Sequence, residues 1–158
     1  MAVLDLDAFL PYRLSIASNV VSTAIATVYQ SMFGLRVPEW RLVCVLAEGK
    51  GLTQQALGAR TQMDKVTVSR AAIALAERGL VARVPNPGDQ RSRVLNLTDS
   101  GRELYAVVAP KALEMERALF AEFTDAERSQ LRDMLLRIEQ AVCKIAPAAT
   151  NDPGAPPP

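Results

Sequence analysis

Two arginines, Arg91 and Arg93, stand two positions apart behind an aspartate, Asp89. They lie between a Pro85-Asn86-Pro87-Gly88 stretch that must turn and a Val94-Leu95-Asn96-Leu97 stretch that reads as a strand. Guanidinium groups lifted on such a hairpin suit phosphate oxygens and a narrow groove, because each planar fork donates several N–H bonds at once. A second set, Lys65, Thr67, Ser69 and Arg70, falls within six residues some way ahead of the hairpin. Cations and hydroxyls at that density are the inventory of phosphate and base-edge contacts. Other chemistry finds little material. The chain has no histidine, which removes imidazole acid–base catalysis and most zinc sites. There is no phosphate-binding glycine loop and no paired-carboxylate site. The residues therefore read as those of a binding protein, not an enzyme, with no cofactor and no metal.

Charge distribution agrees. The total is only +1, yet residues 50–93 hold eight basic side chains against three acidic ones. That segment carries +5 and the remainder −4. A basic centre between acidic ends is the footprint of a focused nucleic-acid contact and not of a general basic coat.

These residues need elements to position them. Apolar side chains at Ile16, Val20, Ala24, Val28 and Met32 repeat at helical spacing and predict a first helix over 11–33, stopped by Gly34. Pro38 suits the first turn of a second helix, which runs to the Glu48-Gly49 break. Thr53 is placed to cap a short third helix through Ala59. Asp64 caps a fourth, closed by Gly79, whose inner stripe is Val68, Ala72 and Leu75. A strand over 80–84, the Pro/Gly turn and a strand over 94–97 form the hairpin. Thr98 starts a long fifth helix that contains, and should bend at, Pro110. Thr124 and Glu127 form a capping box for a sixth, with Leu131, Met134, Leu135, Ile138, Val142 and Ile145 on one face. The fold class is mainly α with a small β-hairpin wing: a winged helix-turn-helix over 37–98, with helical dimerisation regions at 1–36 and 99–146. The tail over 147–158 holds five prolines in twelve residues and reads as disordered. No apolar run approaches the roughly 18 residues of a membrane span. The acidic start lacks a signal peptide's basic region, so a cytoplasmic location is expected.

The stretches Asp64-Lys-Val-Thr-Val-Ser-Arg70, Glu77-Arg-Gly-Leu-Val81 and Asp89-Gln-Arg-Ser-Arg-Val-Leu-Asn-Leu-Thr-Asp-Ser-Gly101 resemble the MarR family of bacterial winged-helix regulators. Pro38-Glu39-Trp40-Arg41 after Phe33-Gly34-Leu35 looks like that family's second helix. The resemblance implies a homodimer on palindromic operator DNA, usually a repressor relieved by a small, often aromatic ligand. Carried over by position, it places the helix over 64–78 in the major groove. Lys65, Thr67, Ser69 and Arg70 then reach bases or phosphates, Arg91 enters the minor groove oriented by Asp89, and Arg93 contacts the backbone. It also makes Tyr12, Arg13, Asn19 and Trp40 candidate ligand residues, with Arg13 a clamp for an aromatic carboxylate. The plainer reading is that Arg13 makes a surface ion pair and Trp40 fills the core. Two further alternatives stay open: a regulator without a ligand, architectural or redox-switched through Cys44, and a protein-interaction module.

Overall fold

The structure, a computed structural model, describes residues 4–145; the expected disordered tail lies outside the described residues. Six helices and three short strands follow in the order α1 (Leu10–Phe33), α2 (Val37–Ala47), β1 (Leu52–Thr53), α3 (Gln54–Thr61), α4 (Lys65–Glu77), β2 (Val81–Asn86), β3 (Asp89–Leu97), α5 (Asp99–Leu119) and α6 (Asp125–Ile145). Among the described residues no helix is long and apolar enough to cross a membrane.

Local chemistry sets most of these boundaries. The Thr53 hydroxyl accepts from the Ala56 N–H at 3.2 Å and caps α3. Asp64 does the same for α4, accepting from the Thr67 N–H at 2.8 Å. At the far end of α4, the Gly79 N–H donates to the Ala76 carbonyl and the Leu80 N–H to the Leu75 carbonyl. This paired closure places Gly79 at φ +69°, a conformation glycine adopts without a Cβ penalty. Leu75 and Leu80, both buried, pack across it. The chain then enters β2 directly. Helix α5 runs unbroken through Pro110.

The sheet is antiparallel with order β1-β3-β2. The strands extend beyond the expected hairpin: β2 reaches Asn86 and β3 begins at Asp89, so the turn shrinks to Pro87 and Gly88. Arg91 and Arg93 consequently lie on a strand and not at the tip. Pro85 is tolerated because β2 is an edge strand and needs no ladder N–H there. Strand β1 has no sequence signal, since two residues carry no periodicity; its register is Leu52 on Leu95 and Thr53 on Val94.

The structure forms two compact units, one reaching to Met115 and the other starting at Glu116. The division falls inside α5, whereas the sequence suggests breaks near 36 and 98. In the first unit, Leu35, Leu42, Val43, Leu57, Val68, Ala72, Leu75, Leu95 and Val108 are fully buried and join α2, α3, α4, the sheet and the start of α5 in one core. Gly101 closes it: a Cβ there would collide with the Leu80 carbonyl oxygen, so α5 can meet the start of the wing only with glycine. The Thr98 hydroxyl fixes the same junction, donating to the Gly79 carbonyl at 2.7 Å and accepting from the Gly101 N–H at 3.0 Å.

Candidate nucleic-acid interface

Helix α4 buries Val68, Ala71, Ala72 and Leu75 against its neighbours. At roughly 100° per residue, these side chains centre on one direction. The residues pointing directly away from it are Val66, Arg70, Ile73 and Glu77, all exposed. Lys65, Thr67 and Ser69 lie to either side of that outward stripe; Lys65 is exposed and the two hydroxyl residues are half-buried. Thr67 is further committed: its hydroxyl donates to Asp64 Oδ2 at 2.6 Å, so its proton serves the helix cap. Of the four candidate residues on α4, Arg70 alone lies at the centre of the outward stripe; Ser69 flanks it, and Lys65 and Thr67 sit about 90–110° round the helix from it. Val66, absent from the sequence-based set, sits one turn before Arg70 on the same line.

The wing orders its arginines through main-chain bonds. Asn86 pairs with Asp89 and Pro85 with Arg93, and the register shifts between those pairs. Gln90, Arg91 and Ser92 form the resulting bulge. Asp89 Oδ1 accepts the Arg91 backbone N–H at 3.0 Å, and its carbonyl accepts the Ser92 hydroxyl at 3.1 Å. Asn86 Nδ2 donates to the Ser92 hydroxyl at 2.8 Å. Asp89 therefore orients Arg91 by fixing its backbone, with no ion pair between the two side chains. Arg93 is paired opposite Pro85 and Arg83 opposite Leu95, which puts both arginines on one face of the pleat. They are diagonal neighbours, a spacing of roughly 7–8 Å. Arg83 counts toward the sequence charge; pairing register alone reveals its place beside Arg93.

The eight basic residues of the central segment divide by partner. Arg60 is paired with Glu48 at 2.6 Å. Arg78, at the end of α4, donates to the carbonyls of Gly34 at 2.9 Å and Phe33 at 3.2 Å and lies 3.9 Å from Glu39. Glu39 is 4% exposed; it also accepts from the Arg36 backbone N–H and guanidinium at 2.9 and 2.7 Å. Arg78 is thus a clamp between the end of α4 and the end of α1. The other six, Lys50, Lys65, Arg70, Arg83, Arg91 and Arg93, form no ion pair among the described residues. Six unneutralised cations, two on α4, three on the hairpin and Lys50 in the turn before β1, make a surface that attracts polyanions.

The candidate ligand residues are not brought together within the chain. Trp40 is buried, stacked on Tyr105 at 5.8 Å between ring centroids and edge-on to Tyr29 at 5.4 Å. Tyr12 and Arg13 stand near the opposite end of α1, sixteen residues or about 24 Å of helix before Tyr29. Arg13 lies 3.7 Å from Asp7, both exposed. Asn19 is exposed midway along α1. Within one chain, Trp40 is a core residue and Arg13 a surface ion-pair residue. Cys44 is half-buried, and burial together with Glu48 pushes its thiol up to about 12. Among the described residues no group of three or more acidic, cysteine or histidine side chains is placed to hold a metal ion.

A short helix, a turn, an outward-facing second helix and an antiparallel hairpin pinned behind it define a winged helix-turn-helix. Residues 33–92 match the profile of the MarR family, and the chain resembles that family's transcriptional regulators. A homoprotocatechuate degradative operon repressor of Escherichia coli is 29% identical over 97 residues, covering 61% of this chain and 66% of that protein. Among solved structures, a MarR/EmrR family regulator from Acinetobacter sp. ADP1 superposes with a TM-score of 0.83 at 29% identity, covering 89% of this chain and 99% of that one. The structure of CouR from Rhodococcus jostii RHA1 bound to p-coumaroyl-CoA gives a TM-score of 0.75 at 26% identity, over 86% and 95% of the respective chains. The chain spans less than two thirds of the length of several curated relatives it matches, 57% for a Thauera aromatica protein named for regulation of the hcr operon and 40% for the regulator PecS of Dickeya dadantii.

Proposed function

We propose that this chain acts as a homodimer that binds palindromic operator DNA through α4 and the wing and represses transcription until a small aromatic ligand releases it. The observation that carries the reading is the six unpaired cations spread over α4, the wing and the adjoining turn. Arg70 at the centre of the outward face suits a bidentate guanine contact in the major groove. Arg91, its backbone held by Asp89, suits the minor groove, while Lys65, Ser69 and Arg93 suit phosphates. A gel-shift titration with DNA upstream of the chain's own gene tests this. Retarded complexes in wild type and a sharp loss in Arg91→Ala are expected; equal affinity in the variant contradicts the assignment.

The dimer is supported by α6. Its Met134, Leu135, Ile138, Val142 and Ile145 form one apolar face, and all five are exposed in the single chain. An apolar stripe along 21 residues needs a cover, and a second copy related by a twofold axis supplies one. It would also present two reading helices to half-sites about 34 Å apart. The effector is supported by the names of two relatives, which refer to homoprotocatechuate and to p-coumaroyl-CoA, both built on phenolic acids. Because Arg13 stands about 24 Å of helix before Tyr29, which packs on Trp40, a ligand touching both Arg13 and Trp40 would draw Arg13 from the second chain. Calorimetry with benzoate- and cinnamate-type acids on wild type and Arg13→Ala tests the clamp; equal affinities remove it. Ligand release would act by population shift, lowering operator affinity by the ligand's differential affinity for the two dimer geometries.

A further inference from the structure

The outward line of α4 places two apolar side chains in solvent, Val66 at 56% exposure and Ile73 at 43%, with Arg70 between them. Neither supports the core, which lies on the opposite side of the helix. Each side of Val66 is cationic: Lys65 precedes it, Arg70 follows one turn later, and neither forms an ion pair among the described residues. An exposed branched side chain framed by free cations is poorly suited to water and well suited to the floor of a polyanion's groove. The major groove offers one apolar feature, the C5 methyl group of thymine. Val66 is the second residue of α4, and reading helices present their N-terminal residues to base edges.

We propose that Val66 is a specificity-determining residue that packs on a thymine methyl group, selecting an A·T pair beside the base read by Arg70. This rests on the DNA-binding reading of α4. It assigns readout to a residue without hydrogen-bonding capacity, whereas Lys65 and Ser69, to the sides of the stripe, reach phosphates. Ile73, about 10 Å further along the axis, rides toward the groove's edge and reads no base.

The test uses a duplex enriched by the full-length protein from a random pool. Each thymine is replaced in turn by deoxyuridine, which removes only the methyl group. Wild type is expected to lose about four-fold in affinity per half-site at one symmetric thymine position, the equivalent of ~0.8 kcal/mol for one buried methyl group. Val66→Ala should bind the unmodified duplex more weakly, keep the salt slope of wild type, and be indifferent to uracil at that position. Ile73→Ala should retain the full uracil penalty. Val66 is exposed, so both proteins should melt alike. Indifference of wild type to every thymine replacement overturns the proposal, as does an undiminished penalty in Val66→Ala. Failure to enrich any duplex is a separate result, which removes the DNA reading and this proposal with it.

Discussion

Arg70 and Arg91 reach solvent from rigid but different supports, and their loss should read out differently from that of Lys65. Lys65→Ala removes a flanking charge; operator and random DNA should weaken alike, and the slope of log affinity against log salt should fall by about 1. A slope unchanged from wild type would take Lys65 off the phosphates. Two carboxyls give a pH signature. Asp64 is held below the usual carboxylate range chiefly by the Thr67 hydroxyl and then the Thr67 N–H. Glu127 is held down chiefly by the Thr124 N–H and then its hydroxyl. A depressed folded-state value means that the unfolded chain binds the proton more readily. Their stabilisation is present above about pH 4 and lost as pH falls through the unfolded and then the folded values. Urea midpoints between pH 6 and pH 2 should fall less steeply in Asp64→Asn than in wild type. Cys44 behaves oppositely: with its thiol near 12, its thiolate is scarce at neutral pH. Peroxide should leave DNA affinity unaltered in wild type and Cys44→Ser alike, and a wild-type loss absent from the variant would restore the redox alternative. At this scale the sequence exposes residue types but hides partners. Nothing in the spacing of Arg78 tells that it serves Glu39 and the end of α1, 39 and 44 residues earlier, rather than DNA.

The helices were legible because their caps are local. Thr53, Asp64, Thr124 and the Gly79 closure act within three or four residues, so spacing alone locates them. The wing was legible in kind and not in extent. Strand pairing with β1 and a bulge at residues 90–92 depend on contacts across the sheet, which lengthen β3 to Asp89 and return Arg91 and Arg93 to the strand. The outward stripe of α4 was readable in principle, since the periodicity that picks out Val68, Ala72 and Leu75 also fixes Val66 as opposite. Val66 carries no hydrogen-bonding group, so residue type alone gives it no signal of a base contact. Two changes probe how elements are joined. Gly101→Ala forces a Cβ onto the Leu80 carbonyl and should cost about 1–3 kcal/mol in thermal or urea unfolding. Arg78→Ala removes the bonds to the Gly34 and Phe33 carbonyls and should cost about 1–2 kcal/mol. If Arg78→Ala is as stable as wild type, the clamp between α4 and α1 is not holding them.

For the whole molecule, the apolar face of α6 and the two-sided geometry of an operator lead to the same expectation, a twofold dimer. Val142→Arg, on a side chain that touches little in one chain, should leave the fold intact and shift light scattering from dimer to monomer at micromolar concentration. A wild-type monomer under those conditions would remove the dimer. The family resemblance follows from the motifs around the hairpin, yet operator and effector are properties of assembled surfaces that one chain does not display. The most direct measurement of the central claim is selection from a random duplex pool by wild type and by Arg91→Ala in parallel. The account predicts that wild type enriches an inverted repeat with half-sites one helical turn apart, about 34 Å, and that Arg91→Ala binds it far more weakly. Enrichment of no sequence, or equal binding of the enriched repeat by both proteins, would contradict it.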